Sequence, residues 1–252
     1  MTKITYNNFH DQLASFFEQW PAGVCKEKPN SKISFKSSDL NIFFQQLNSV
    51  INTTLHSALS FNPWEISGLK HNETRNSAIL SWLLTPNGSH GFNKTPLLTL
   101  LNLLGSSSQY DFPSDFKKFC HVDNEVNLNG NIANRADIQI RADNFFLLIE
   151  VKINAKEQEQ QISRYCEEAE KAAHGLPWAI IYLTPDGRKP TSNCDKYSDA
   201  HILCLSWKSL SISLSAALQP YYQQLFTEQP HSPMRQFAAL STFLFIEQMQ
   251  NF

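Results

Sequence analysis

The stretch RADIQIRADNFFLLIEVK, residues 135–152, determines the central part of the fold. The dipeptide Asp143-Asn144 is typical of a tight turn, and the residues on either side of it are largely apolar or alternating. This pattern predicts a β-hairpin whose two strands cover Arg135–Arg141 and Phe145–Ile153.

The predicted turn brings two acidic side chains together. If Ala142 faces Phe145, Asp137 lies opposite Glu150, with both side chains on one face and their Cβ atoms about 5 Å apart. Lys152 is two residues beyond Glu150 and therefore faces the same way. Because like charges directly opposite each other destabilise a sheet, the two carboxylates need a compensating cation or proton. Mg²⁺ suits this position, since proteins bind it through one or two carboxylates together with water and phosphate.

An exposed strand face is the alternative interpretation of these charges. The run Phe145–Ile149 lacks the polar alternation of an exposed strand, which favours a buried metal site. A metal ion held there would polarise a phosphodiester and lower the pKa of a bound water. The ammonium group of Lys152 would orient that water or stabilise negative charge on the phosphate.

The patterns on either side of the hairpin predict an α/β fold. Helices are predicted over about Asn72–Leu84, from Pro96 to Gly105 and over Lys156–His174, and strands over His121–Leu128, Trp178–Leu183 and His201–Trp207. Further helices are predicted near both ends, among them one over Phe9–Trp20 and one capped by Ser38 or Asp39. We therefore predict a central mixed β-sheet flanked by helices. The single domain would comprise a helical extension (1–70), a catalytic core (71–207) and C-terminal helices (208–252).

The composition is that of a globular protein. The chain has 252 residues, of which 42% are hydrophobic and 17% are charged, so it can bury a large core without disulfides. The five cysteines have no zinc-site spacing, and there is neither a signal peptide nor an apolar run of about 20 residues. A soluble cytoplasmic protein without a membrane segment is expected. The net charge of −2 requires that any contact with nucleic acid come from a local basic patch.

The hairpin motif resembles the signature of the PD-(D/E)XK nuclease superfamily, whose members have a restriction-endonuclease-like fold. The signature consists of an acidic residue on one strand, here Asp137, followed on the next strand by (D/E)-x-K, here Glu150-Val151-Lys152. The proline of the signature is replaced by Ala136, which leaves the acidic residues unchanged.

Three further matches extend this resemblance over about residues 72–205. Glu73 stands where family members carry an acidic residue on a preceding helix. Gln161 and Tyr165 match a Gln-x-x-x-Tyr pattern on the helix that follows the motif. The segment 79–92 is similar to the Leu-Leu-x-Pro and His-Gly element of one bacterial branch.

The resemblance implies a role for each of these residues. Lys152 would assist the attacking water, and Gln161 would lie close to that water or to Lys152, with Tyr165 supporting the same helix face. The cofactor would be Mg²⁺, for which Mn²⁺ can substitute. Its ligands would be Asp137, Glu150, the Val151 carbonyl and, as an extra ligand, Glu73.

Several of these positions have a second interpretation. Glu73 also suits the first turn of a helix, where a carboxylate interacts favourably with the helix dipole. His90 is either a hydrogen-bonding residue of a loop or a residue that contacts the scissile phosphate or positions Glu73. Tyr165 also fits the apolar stripe of its helix. Arg75 and Arg135 either neutralise substrate phosphate or balance nearby carboxylates.

The function implied by the resemblance is metal-dependent hydrolysis of phosphodiester bonds by a bacterial DNA endonuclease, in defence against foreign DNA. Cleavage of RNA or of single-stranded or branched DNA is an alternative, because the motif specifies the bond and not the polymer. A catalytically silent module that binds nucleic acid or a protein partner is another. A homodimer would match the two-fold symmetry of a duplex, and a regulatory protein partner is also compatible with the acidic charge balance.

Overall fold

The computed structural model describes residues 37–55, 61–107, 112–127, 135–155, 158, 160–191, 197, 201–227 and 232–252. The chain divides into two units, Met1–Ser60 and Phe61–Phe252. The predicted helix over Phe9–Trp20 lies outside the described residues.

The first unit contains helix α1, which spans Ser37–Leu55. The helix begins one residue before the predicted cap, so Ser38 and Asp39 lie within its first turn. Its apolar stripe is exposed along the described side chains, namely Leu40, Phe43, Phe44 and Leu47.

The second unit contains the predicted helices and strands in the predicted order, preceded by one short helix that was not predicted. The helices are α2 (Pro63–Ile66), α3 (Glu73–Leu84), α4 (Thr95–Ser107), α5 (Gln161–Ala173), α6 (Trp207–Thr227) and α7 (Pro233–Gln248), followed by a 3₁₀ turn (Met249–Asn251). The strands are β1 (Cys120–Asn127), β2 (Arg135–Ala142), β3 (Phe146–Val151), β4 (Trp178–Thr184) and β5 (Ile202–Ser206). Within the described ranges, none of the helices is both long and apolar enough to span a bilayer.

The five strands form one mixed sheet in the order β1-β2-β3-β4-β5. The β1–β2 and β2–β3 pairs are antiparallel, whereas β3–β4 and β4–β5 are parallel. Helix α5 connects the parallel strands β3 and β4, as a crossover between parallel strands requires. The predicted α/β fold with a central mixed sheet flanked by helices is confirmed.

The β2–β3 hairpin has the register that the sequence predicts. The Ala142 N–H donates a hydrogen bond to the Phe145 carbonyl oxygen, with an N···O distance of 3.0 Å, and this closes the two-residue turn. Paired residues then run from Arg141–Phe146 to Ile138–Ile149.

Strand β3 is buried on both faces, because helices cover each side of the sheet. Phe146 and Leu148 pack with the apolar side chains of α5 in one cluster. Leu147 and Ile149 pack on the opposite face with side chains from α3, α4, α6 and α7. Strand β3 is therefore the centre of the core, and Glu150 lies near its end.

Several element boundaries differ from the predictions by one residue, and four differ by more or change the type of element. The helix predicted from Lys156 begins only at Gln161, because Gln160 has a left-handed φ of 56°. Helix α4 continues past Gly105 to Ser107. Strand β3 stops at Val151 instead of Ile153. Trp207, predicted to end a strand, begins α6 instead.

Shortening a side chain in β3 tests the importance of this packing. Leu147 is 0% exposed, so we expect Leu147→Ala to lower the free energy of unfolding by about 2–5 kcal/mol. Leu240→Ala is the matched control, since Leu240 on α7 is 42% exposed and its removal opens no cavity. Urea denaturation measures both values, and equal losses in the two variants would contradict this account of the core.

Candidate active site

Glu150 is a buried carboxylate at the end of the central strand. Its residue is only 2% exposed, and the side chain is held by contacts from two directions. The Lys152 ammonium nitrogen lies 2.6 Å from Glu150 Oε1. The Gln161 amide nitrogen donates a hydrogen bond to the same oxygen at 2.7 Å. Glu150 Oε1 therefore has two donors, whereas Oε2 is buried without a hydrogen-bond partner.

Asp137 approaches Glu150 from the neighbouring strand. The β2–β3 ladder ends at the Ile138–Ile149 pair, one position before the predicted Asp137–Glu150 pair. The Val151 N–H instead donates to Asp137 Oδ2 at 2.8 Å. The carboxylate of Asp137 is thus fixed to the β3 backbone beside Glu150, close enough for its charge to raise the pKa of Glu150.

Helix α5 orients Gln161 towards Glu150. The Gln158 N–H donates to Gln161 Oε1 at 3.4 Å, which leaves the Gln161 amide nitrogen as the donor to Glu150. That nitrogen also donates to the Tyr165 hydroxyl at 3.0 Å. The Tyr165 hydroxyl in turn donates to the Arg135 carbonyl oxygen at 2.5 Å. Tyr165 is only 1% exposed, and its hydroxyl group links Gln161 to the backbone of β2.

Glu73 lies at the start of α3 and contacts the segment that follows Lys152. Its Oε1 atom accepts three hydrogen bonds from consecutive backbone N–H groups, those of Ile153 at 2.6 Å, Asn154 at 2.9 Å and Ala155 at 2.9 Å. The Glu73 charge also raises the pKa values of Asp137 and Lys152. The structure thus brings Glu73 to the same cluster as the hairpin motif.

Burial raises the pKa values of both hairpin carboxyl groups. It is the largest cause in each case, and the charge of Asp137 adds to it at Glu150, whose pKa rises to about 7. Burial lowers the pKa of Lys152, but attraction to Glu150, Asp137 and Glu73 outweighs burial and holds this pKa above its ordinary value. Near neutral pH, Lys152 is therefore charged while Glu150 is partly protonated.

The oxygen atoms around Glu150 fit one hard divalent cation. Glu150 Oε2 has no hydrogen-bond partner, and the Asp137 carboxylate is bound to the N–H of the next residue, Val151. No group of three or more His, Cys, Asp or Glu side chains that could hold a metal ion occurs in the described part of the chain. Two carboxylates are nevertheless a usual protein contribution to a Mg²⁺ site, in which water and phosphate supply the remaining oxygens.

The other predicted residues have different surroundings. Arg135 is exposed, and its guanidinium lies 3.0 Å from the Glu125 carboxylate on β1. Arg75 is exposed, and its guanidinium donates to the Ser67 carbonyl oxygen at 3.5 Å. The charge of Arg135 also lowers the pKa of Asp137, although burial outweighs this effect.

His90 is buried in the loop between α3 and α4, with an exposure of 1%. The Phe92 N–H donates to His90 Nδ1, so the ring proton is on Nε2, which donates to the Thr85 carbonyl oxygen at 3.0 Å. Burial lowers the pKa of this imidazole. Both ring nitrogens are engaged by backbone groups, which corresponds to the loop hydrogen-bonding interpretation of His90.

Four hydrogen bonds between acidic side chains and the backbone are among the contacts that were not predicted from the sequence. These are the hydrogen bond to the Asp137 carboxylate from the Val151 N–H and the three hydrogen bonds accepted by Glu73. Glu73 directly follows Asn72, and asparagine is a residue type that caps helices. The sequence therefore indicates that Glu73 lies in the first turn of its helix. No local pattern relates it to backbone amides some 80 positions later in the chain.

Glu150 should make the stability of the metal-free protein depend on pH. Its pKa rises from 4.5 to about 7 on folding, so its contribution to stability is present below pH 4.5 and is lost as the pH rises through about 7. Glu150→Gln cannot ionise. We therefore expect the melting temperature of the wild type in EDTA, relative to that of Glu150→Gln, to fall between about pH 5 and pH 8.

The exposed Glu247 provides the control for this measurement. Glu247→Gln should show the same pH dependence as the wild type, because this exposed residue lies outside the buried cluster and the variant retains Glu150. A constant difference between wild type and Glu150→Gln across this pH range would show that Glu150 titrates normally.

Comparison with known protein families gives one match. A family model described as the PD-(D/E)XK nuclease superfamily matches residues 61–238, which is more than half of the chain. The matched region contains every residue of the cluster described above. No curated protein and no solved structure matches the chain.

Proposed function

We propose that this chain, which belongs to the PD-(D/E)XK nuclease superfamily, is a Mg²⁺-dependent endonuclease that hydrolyses phosphodiester bonds in DNA. The observation that supports this most directly is the buried oxygen Oε2 of Glu150, which has no hydrogen-bond partner although Oε1 of the same carboxylate contacts Lys152. An unpaired buried carboxylate oxygen is costly unless a proton or a cation occupies it.

In this proposal, Asp137 and Glu150 would hold the divalent cation, with the Val151 carbonyl as a further oxygen donor. The cation would supply Lewis acidity and lower the pKa of a coordinated water. Gln161 keeps Glu150 Oε1 engaged, so that the other oxygen faces the cation. We assign Gln161 this supporting part in catalysis, and Tyr165 supports Gln161.

Lys152 would act as a charged donor at the reacting phosphate. Its raised pKa keeps it protonated, so it is suited to orienting the attacking water or stabilising negative charge and not to removing a proton. In the reaction, the water would give up a proton to solvent as its oxygen bonds to phosphorus, while the bond between phosphorus and the leaving oxygen breaks and that oxygen takes a proton from solvent. The exposed guanidinium groups of Arg135 and Arg75 are candidates to contact neighbouring phosphates.

The biological setting within this proposal is a bacterial cytoplasm and defence against foreign DNA. That part is supported by the resemblance of the segment 79–92 to a bacterial branch of the superfamily. A homodimer that cuts both strands of a duplex belongs to the same proposal, as does a regulatory protein partner.

A cleavage assay tests the chemistry. We expect wild-type protein to cut supercoiled plasmid with Mg²⁺ or Mn²⁺ and to lose activity in EDTA. Asp137→Ala, Glu150→Ala and Lys152→Ala should each lower the rate by at least about 100-fold, the loss typical for removal of a charged group at the reacting centre. Lys171→Ala is the matched control, since Lys171 is exposed and pairs with Glu168 on α5.

Parallel reactions with single-stranded DNA and RNA distinguish the substrate classes. Cutting of RNA but not DNA would replace the DNA part of the proposal. Equal cutting by wild type and Glu150→Ala would mean that the activity comes from a contaminant or from another site.

Metal binding can be measured without any substrate. Saturating Mg²⁺ or Mn²⁺ should raise the melting temperature, because a ligand at 100 times its Kd stabilises the folded state by about 2.7 kcal/mol. The shift should be larger at about pH 8 than at about pH 6, since the cation displaces the proton from Glu150. Asp137→Ala should abolish the shift, and an unchanged shift in that variant would remove Asp137 from the metal site.

A further inference from the structure

The first turn of α3 holds Glu73 in a fixed position. Asn72 caps the helix, and its Oδ1 atom accepts a hydrogen bond from the Arg75 N–H at 2.9 Å. The buried Asn76 side chain donates to the carbonyl oxygens of Lys70 at 3.0 Å and Asn72 at 2.8 Å. Hydrogen bonds therefore fix the backbone on both sides of Glu73, and this defines the position of its Cα atom.

The carboxylate of Glu73 connects the first turn of α3 to residues 153–155, which follow β3 and Lys152 in the chain. Three successive N–H groups, from residues 153–155, converge on the single oxygen Oε1. Consecutive amides of this kind form a concave site for an anion, and hydrogen bonds to a carboxylate are stronger than those between neutral groups. Oε1 already accepts three hydrogen bonds and has no lone pair left for a cation, so Glu73 could bind a cation only through its other oxygen, Oε2.

These contacts fix the backbone immediately after Lys152. The Lys152 N–H donates to the Leu183 carbonyl oxygen on β4 at 2.8 Å, and the next N–H, that of Ile153, donates to Glu73 at 2.6 Å. Lys152 is therefore held between β4 and α3, with its ammonium group directed at Glu150. Without Glu73, residues 153–155 would lose the acceptor for three N–H groups, and the backbone of Lys152 would be fixed on one side only.

We infer that Glu73 is a positioning residue that fixes the exit of the chain from β3 and thereby holds Lys152 on Glu150, and that it is not a metal ligand. The inference rests on the proposed function, since it assigns Glu73 a part in the same site. A carboxylate that only interacted with the helix dipole would need no hydrogen-bond donors from another segment. Glu73 accepts hydrogen bonds from backbone N–H groups some 80 residues later in the sequence.

The test compares Glu73→Ala and Glu73→Gln with Asp137→Asn. Glutamine keeps an oxygen acceptor for the three amides but is a weak ligand for Mg²⁺. Three quantities are measured on the full chain: hydrogen exchange of the amides of residues 153–155, the Kd for Mn²⁺, and kcat and KM for plasmid cleavage. Glu65, an exposed carboxylate in the first turn of α2, gives the control variants Glu65→Ala and Glu65→Gln.

We expect Glu73→Ala to expose the three amides to exchange and to lower kcat by about 10- to 100-fold, the usual effect of removing a residue that supports a metal site. Its KM should stay within about twofold of the wild type, because the binding surface for substrate is not altered. Glu73→Gln should restore the protection of the amides and most of kcat, with a Kd for Mn²⁺ within about threefold of wild type.

Two results would overturn the inference. One is a Kd for Mn²⁺ in Glu73→Gln that rises as far as in Asp137→Asn while the amides stay protected, which would make Glu73 a ligand. The other is unchanged exchange of the three amides in Glu73→Ala, which would show that the contact does not fix the segment. If wild-type protein neither binds metal nor cuts DNA, the proposed function fails, and exchange alone decides whether Glu73 holds the segment.

Discussion

The site is built around the burial of two acidic side chains at the end of an apolar strand. Glu150 is almost entirely enclosed, and Asp137 lies beside it, so removal from water and mutual repulsion both favour their neutral forms. Donors from several directions offset part of this cost, namely the Lys152 ammonium, the Gln161 amide and the Val151 N–H. The compensation is incomplete, since one oxygen of Glu150 is left without a donor. A proton can occupy this oxygen, and in the proposed function a divalent cation would bind there.

The position of this pair depends on packing far from the charges. Side chains alternate between the two faces of β3, so a shift of one residue in its register would turn every side chain to the opposite face. Both faces of β3 are buried, so such a shift would disrupt packing on each side. Glu150 would then face the larger apolar cluster and lose its contacts with Gln161 on α5. The apolar residues of β3 and the tight turn at Asp143-Asn144 thus fix the geometry of the acidic residues.

The parts of the site that follow from local sequence could be predicted. The two-residue turn and the register of the hairpin depend on neighbouring residues and on strand periodicity, and they are confirmed as far as the Ile138–Ile149 pair. The next pair could not be predicted, because the Asp137 side chain takes the Val151 N–H, and strand periodicity does not describe side chain to backbone bonds. The late start of α5 depends on the left-handed backbone of Gln160, for which the sequence offers no glycine or asparagine as a signal.

Contacts between segments that are distant in sequence could not be predicted for a different reason. The family resemblance placed Glu73 in the site, but its three backbone partners could not be predicted, because the N–H groups that donate to it come from a segment some 80 residues later. His90 illustrates the same limit, since its burial depends on the packing of Trp82 and Phe92 against its ring. Sequence patterns specify elements and their registers, but the partners of a polar side chain depend on how those elements come together.

The mixed topology of the sheet also has a consequence for the order in which the chain folds. Strands β1, β2 and β3 pair with their neighbours in sequence, whereas β4 and β5 join the sheet through crossovers. The hydrogen bond from the Trp64 indole N–H to the Ser241 carbonyl oxygen connects residues that are 177 positions apart in sequence. Since local pairings close smaller loops, the meander of the first three strands is expected to form early. Asp137 and Glu150 would then meet before α5 and β4 have brought their stabilising contacts. The folding barrier, and not only the finished site, is therefore sensitive to whether those two carboxylates carry a proton when they first come together.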